Sequence, residues 1–395
     1  MTSLPPADWR GNRGLDSLLT ALDAEHGMVR FVGGAVRDTL LGLPVKDIDC
    51  ATRLLPEESS RRILAAGFKV IPTGIAHGTV TALLPSGPVE ITTLRRDLAT
   101  DGRHAVVAFT DEWREDAARR DFTINALSAD PVTGQIHDYF GGLGDLEHGL
   151  VRFIGDPLQR IAEDHLRILR FFRFHARFGA GEPDVAALNA CSERANDLMA
   201  LSRERIADEL LKLLGLPDPA PTLRIMLDRG ILRPVLPEID GARLAQLKLL
   251  MTAENEAHAE PEALRRLAAL LPRDPAIAES VAARLRLSNK AKKRLACAAA
   301  DDALQPPRSL AYRLGRDCAI DRLLLSGRAK EADEIAHWHA PRLPISGGAL
   351  IKRGLAEGPG IARTLRQIED RWVDAGFPGG ADFEQIVDEA LSTPS

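Results

Sequence analysis

Strand-like segments are confined to one end of this chain. Short β-branched runs separated by turns occur at residues 47–52, 77–84, 89–94 and 135–138, and none lies beyond the Asp156-Pro157 dipeptide. Helical segments are expected among them at 14–26, 35–42, 56–66 and 116–127. Thereafter Leu, Ala and Arg recur at helical spacing, and proline-containing breaks at 217–221, 234–237 and 305–307 divide the helices. This segregation predicts an α+β protein with excess helix. A head with one small mixed sheet is expected at residues 1–150, an all-α neck at 151–216, and a helical body and tail at 217–395. With 395 residues, 45% of them hydrophobic, each part can bury a core of its own.

Charge and cysteine usage narrow the partners. The net charge of -5 excludes a general polycation, so any nucleic-acid site must be a local basic surface. The four cysteines, Cys50, Cys191, Cys297 and Cys318, are scattered singly without a CxxC pair or a histidine cluster, which disfavours both zinc and a disulfide framework. The beginning of the chain lacks a basic stretch followed by an apolar core, and no run of about 18 apolar residues occurs. A cytoplasmic protein without membrane attachment is expected, and no protein partner is indicated.

In residues 31–38 (FVGGAVRD) an apolar strand runs into Gly33 and Gly34 and then into a helix. Backbone N–H groups can meet an anion there, with Arg37 adding charge. Alone, a glycine pair after a strand is commonly a plain turn. The next segment changes its meaning, because Asp47 and Asp49 flank Ile48 in a predicted strand, and strand alternation points both carboxylates to one face. Two carboxylates aimed together repel unless a cation lies between them. Hard oxygen ligands suit Mg2+, which bridges nucleotide phosphates, so nucleotidyl transfer is the predicted reaction class. Glu90, in the later strand 89–94, can present a third carboxylate.

Several motifs in order resemble those of the class II tRNA nucleotidyltransferases and the bacterial poly(A) polymerases, over roughly residues 29–215. The resemblance implies a polymerase-β-like nucleotidyltransferase head, in which Gly33, Gly34 and Arg37 hold triphosphate and Asp47 and Asp49 hold metal. Residues 119–127 (RRDFTINAL) resemble the motif that contacts the incoming nucleotide's sugar and phosphates, implicating Arg120, Asp121 and Asn125. Residues 163–174 (EDHLRILRFFRF) resemble the base-selecting motif, with Asp164 and Arg167 reading the Watson–Crick edge and Arg170 and Arg173 near the phosphates. A weaker echo lies in residues 344–351. In the family, segment 94–109 corresponds to a flexible loop linked to the switch from C to A; it is shortened in relatives that add only CC and near full length here. The poly(A) polymerases carry a glycine, double arginine and phenylalanine after the third strand, whereas this chain has Leu94-Arg95-Arg96-Asp97.

On physical grounds, Asp164, Arg167 and Arg170 step by three residues and would form one slanting stripe on a helix. Ile161, Ile168, Leu169 and Phe172 would bury the other side. Arginine donors beside aspartate acceptors match cytosine and adenine and mismatch guanine and uracil. The plain alternative is an i,i+3 Asp164–Arg167 ion pair on a solvated face. Residues 284–294 (RLRLSNKAKKR) form the strongest basic segment of the body, capped at Ser288, with Lys290, Lys292, Lys293 and Arg294 as candidates for gripping an RNA backbone. The expected activity is addition of C, C and A from CTP and ATP to the 3′ end of tRNA. The alternatives are poly(A) addition, partial CC or A addition, and an inactive RNA-binding relative.

Overall fold

The computed structural model describes residues 2–100, 105–300 and 305–392. The chain divides into two compact units, Met1–Leu213 with Ile225–Val235, and Leu214–Arg224 with Leu236–Ser395. The segments read as head and neck thus lie mainly in the first unit.

The first unit is built on a seven-stranded sheet of order β3-β4-β5-β2-β1-β8-β9. Its strands are β1 (Val29–Val32), β2 (Ile48–Thr52), β3 (Lys69–Gly74), β4 (Thr79–Leu84), β5 (Gly87–Thr93), β8 (Ser128–Ala129) and β9 (Ile136–His137), while β6 (Arg95–Thr100) and β7 (Ala105–Phe109) form a separate hairpin. Within the large sheet β2 and β5 run parallel, and the other pairs are antiparallel. Helices α1 (Leu15–Ala21), α2 (Gly34–Leu40), α3 (Pro56–Ala65), α4 (Trp113–Ala118) and α5 (Gly142–Glu147) accompany it, followed by α6 (Pro157–Glu163), α7 (Arg167–Phe178), α8 (Val185–Glu193) and α9 (Arg203–Leu214). Strand alternation buries Val80, Ala82, Val89 and Ile91 on one face, against which α3 packs with Ile63. The opposite face carries Asp49, Glu90 and Thr81.

One local expectation is corrected, and two further segments take a form that the sequence did not specify. The helix predicted at 116–127 stops at Ala118; Phe122 is extended and bridges to Phe153, and Thr123–Asn125 is a single 3-10 turn. Burial decides this, because Phe122 is fully enclosed with ring centroids 5.0 Å from Phe153 and 5.2 Å from Phe174. Strand β3 contains Pro72 and shows no clean alternation; it forms as an edge strand, where a missing N–H is tolerated. The segment read as a flexible loop forms the β6–β7 hairpin, with residues 101–104 outside the described residues.

Helix α10 (Ala220–Asp228) has residues in both units. The second unit is helical: α11 (Gly241–Glu256), α12 (Ala263–Ala269), α13 (Pro275–Arg284), α14 (Asn289–Ala299), α15 (Pro307–Leu314), α16 (Arg316–Leu325), α17 (Ala329–Ala336), α18 (Gly347–Lys352), α19 (Pro359–Asp374) and α20 (Gly380–Ser392). A single disulfide joins Cys297 and Cys318, which the sequence reading did not anticipate, while Cys50 and Cys191 are free. Packing of α14 against α16 brings together cysteines 21 positions apart, a contact that single-cysteine spacing does not reveal.

Buried charge organises this unit. Asp321, fully buried on α16, accepts from Arg265 at 2.8 Å and Arg294 at 2.7 Å. Glu254 on α11 accepts from Arg265 at 2.8 Å and from Arg266 at 2.9 Å. Removing one partner leaves uncompensated charge in a medium that solvates it poorly. Asp321→Ala is expected to remove about 3–5 kcal/mol from this unit's stability. Denaturant unfolding monitored in the second unit checks this, and an unchanged midpoint would contradict it.

Candidate active site

One cavity of about 600 Å³ in the first unit is lined by Gly33, Gly34, Arg37, Asp47, Asp49, Arg120, Asp121, Asn125, Asp164, Arg167, Arg170, Arg173 and Phe174. All the residues proposed from the sequence to bind nucleotide or metal therefore converge on one place. Glu90 is not in that lining; it lies beside it, the register partner of Asp49 on the adjacent parallel strand. Phe174 was not anticipated, since it reads as one more apolar residue on α7.

Ile48 is buried at the start of β2, and alternation places Asp49 on the opposite face. Asp47 lies just before the strand. Burial, together with the nearby charges of Glu90 and Asp47, raises the Asp49 carboxyl above its usual range, and Arg120 opposes this. Among the described residues, no hydrogen bond or salt bridge holds Asp47, Asp49 or Glu90. Nor does any group of three His, Cys, Asp or Glu side chains close on a single point. An open set of unsatisfied carboxylates suits a divalent cation whose remaining ligands come from substrate phosphates.

Gly33 ends β1 with φ of 64°, and a Cβ there would come within 3.1 Å of an Arg120 Nη1. Only glycine allows both that turn and that approach. Arg37 is buried, so its guanidinium is pushed below its ordinary pKa by desolvation, against the opposing pull of Asp38. It donates to Asp38 at 2.7 Å and to the Asn125 side-chain oxygen, and stacks 4.2 Å from the Phe178 ring centroid. Arg37 is thus rigidly aimed.

The segment after α4 is braced by two buried acids. Asp116 pairs with Arg119 at 2.9 Å and Arg120 at 3.2 Å. Asp121 accepts from Arg170 at 2.8 Å, from the Asn125 amide at 2.9 Å and from the Phe122 N–H at 2.8 Å. Burial pushes both carboxyls up, but the arginines outweigh it and hold both below the usual range.

The predicted continuous stripe on one helix is corrected. Asp164 follows the end of α6 in an extended conformation with φ of -155°, and α7 begins only at Arg167. The Asp164 carboxylate accepts from the Leu166 N–H at 3.1 Å and from Arg205 at 2.7 Å. This local capping competes with helix continuation, as aspartate does at helix ends. The alternative Asp164–Arg167 ion pair does not form either; Arg167 pairs instead with Glu163 at 2.6 Å and donates to the Arg160 carbonyl at 2.7 Å. Ile161, Ile168, Leu169 and Phe172 are buried as expected.

Sequence reasoning missed the braces. Arg173 is held by Glu209 at 2.5 Å. Glu209 is buried on α9 between Ile206 and Leu213. An acid falling within an apolar stripe was the available signal. In the second unit, Ser288 caps α14 and accepts from Ala291 at 3.2 Å. Arg294 is committed to Asp321 and Glu262, and Lys292 approaches Glu279 at 3.6 Å. Lys290 and Lys293 are exposed beside Trp338 and His339.

Residues 29–152 match the family described as the Poly A polymerase head domain, and residues 183–242 match the probable RNA and SrmB-binding site of polymerase A. The chain is 35% identical to the mitochondrial CCA tRNA nucleotidyltransferase 1 of Danio rerio, over 97% of this chain and 90% of that protein. It is 32% identical to the CCA-adding enzyme of Streptococcus gordonii, over 90% and 91% respectively. The chain belongs to the CCA-adding tRNA nucleotidyltransferases. The Bacillus stearothermophilus CCA-adding enzyme, solved in complex with CTP, shares its fold, with a TM-score of 0.75 and 25% identity over 95% of this chain and 96% of that one. Members of this nucleotidyltransferase family generally use a divalent metal ion, which accords with the open carboxylates. Among the described residues no helix is long and apolar enough to cross a membrane.

Two substitutions test these electrostatics. Asp49→Asn relieves like-charge repulsion and should raise metal-free stability at neutral pH by about 1 kcal/mol while eliminating activity; a melting temperature below that of the parent would contradict this. Asp116→Asn should cost about 2 kcal/mol at pH 7. Because the folded carboxyl is held low, its contribution is present above the unfolded value of about 3.9 and is lost as pH falls through the folded value. The gap between parent and variant in melting experiments should therefore shrink in acid, and a gap independent of pH would count against the assignment.

Proposed function

We propose that the first unit adds C, C and A stepwise from CTP and ATP to the 3′ end of tRNA, without a template and with release of pyrophosphate. The observation that carries this is the convergence of paired carboxylates, buried arginines and the Asp164–Arg167 edge on one cavity. Asp47 and Asp49 would hold Mg2+, with Glu90 alongside. Bound there, the ion would neutralise phosphate charge and make the attacking hydroxyl more acidic. Arg37 and Arg120 would stabilise the triphosphate from the Gly33 side, and Asn125 keeps Arg37 in place. Arg170 and Arg173, fixed by Asp121 and Glu209, add positive charge to the same cavity.

Base choice falls to Asp164 and Arg167. Each carboxylate oxygen has lone pairs beyond those that Leu166 and Arg205 use, so Asp164 can accept from an exocyclic amine while Arg167 donates to a ring nitrogen. Cytosine and adenine offer that pattern; uracil and guanine offer the reverse. Mg2+ as the ion and the cytoplasm as the compartment belong to the same reading.

Incubation with a tRNA transcript ending before CCA and each labelled nucleotide in turn tests this. C should enter alone, A only after C and C, and U and G not at all. Asp47→Ala and Asp49→Ala should each lower incorporation by more than about 100-fold, and full activity in either refutes the metal assignment. Long A tails would indicate poly(A) addition, CC alone a partial enzyme, and no incorporation a binding protein.

A further inference from the structure

The row of side chains that holds the carboxylates continues past them. On the sheet face bearing Asp49, Glu90 of β5 lies opposite Asp49, Thr81 of β4 opposite Glu90, and Ile71 of β3 opposite Thr81. At about 4.8 Å per strand the row reaches roughly 14 Å from Asp49. Two hydroxyl pairs, Thr73–Thr81 at 2.9 Å and Thr79–Thr92 at 3.0 Å, form a polar floor. Beyond them the face is open and apolar: Ile71 is 43% exposed and Leu83 37%. Lys69, opposite Leu83 and exposed, adds a positive charge to the same face. Helix α3 takes up the reverse side of these strands.

The nucleotide cavity occupies the other flank of the carboxylates, since Gly33 directly follows β1 and β1 lies across β2 from β5. Transfer at a phosphate proceeds with the attacking and leaving oxygens in line, on opposite sides. With the triphosphate on the β1 side, the attacking hydroxyl arrives from the β5 side, and the strand carrying it lies over β4 and β3. Exposed apolar side chains receive base faces without reading them, hydroxyls suit sugars, and Lys69 suits phosphate. Resting on the reaction proposed above, we infer that the β3–β4 face seats the 3′-terminal nucleotides of the acceptor RNA, with Ile71 and Leu83 beneath the bases.

Ile71→Asp and Leu83→Asp place a repelling charge on an exposed surface, and unchanged melting temperatures will show that the fold is kept. Each should raise the KM for tRNA lacking CCA by about tenfold, with the KM for CTP and the equilibrium binding of CTP unchanged. An RNA KM unaltered in both variants overturns the inference while leaving the reaction intact. Altered sedimentation with an unaltered RNA KM would mark the face as a contact between copies of this chain, and overturns it too. A parent protein that incorporates no nucleotide refutes the reaction itself, and the inference with it.

Discussion

The enclosed carboxylate of Asp121 is the constraint on which the site depends. A lone buried carboxylate would take up a proton, yet here Arg170, the Asn125 amide and the Phe122 N–H all donate to it. Those partners come from two stretches of chain, the turn after α4 and helix α7. Packing of Phe122 with Phe153, Phe171 and Phe174 backs the pair on its inner side, where low polarity strengthens the hydrogen bonds to Asp121. Once Asp121 and Arg170 are joined, Arg167 and Arg173 are placed one helical turn to either side, facing the same cavity.

The carboxylates on β2 and β5 obey the opposite logic. Asp49 and Glu90 are register partners on adjacent parallel strands, and neither has an arginine close enough for a salt bridge among the described residues. The fold tolerates this repulsion because the rest of the unit is well satisfied: Arg37, Asp38, Asp116 and Asp121 all have partners. Local destabilisation held in place by a rigid surround is what the proposed cation and triphosphate site requires. Arg37 illustrates the complementary device, a guanidinium deprived of water and aimed by Asp38 and Asn125.

What could be read from the sequence was short-range. Gly33, Gly34, Asp47 and Asp49 lie within one strand–turn–helix–strand passage, so spacing and alternation suffice to place them on one face. The α+β division was legible because strand signals stop before Asp156. What escaped depends on contacts between distant segments. Asp164 leaves the helix because Leu166 and Arg205 claim its oxygens, and Arg205 is 41 positions away. Phe122 is extended because Phe153 and α7 enclose it. The Cys297–Cys318 bond and the Asp321 network arise from helix packing in the second unit, which periodicity predicts only as burial. Of the basic segment at 284–294, the structure commits Arg284 and Arg294 to acids, a pairing no charge run discloses.

The central claim is that rigid protein groups, Asp164 braced by Arg205 and Arg167 braced by Glu163, choose the nucleotide before any RNA is present. Equilibrium binding of the four nucleoside triphosphates to the metal-loaded protein without tRNA measures this directly. The account predicts that CTP and ATP bind at least about tenfold more tightly than UTP and GTP, a difference of about 1.4 kcal/mol, and that Arg167→Ala abolishes the preference. Equal affinity for all four, or a preference that survives in Arg167→Ala, would contradict it.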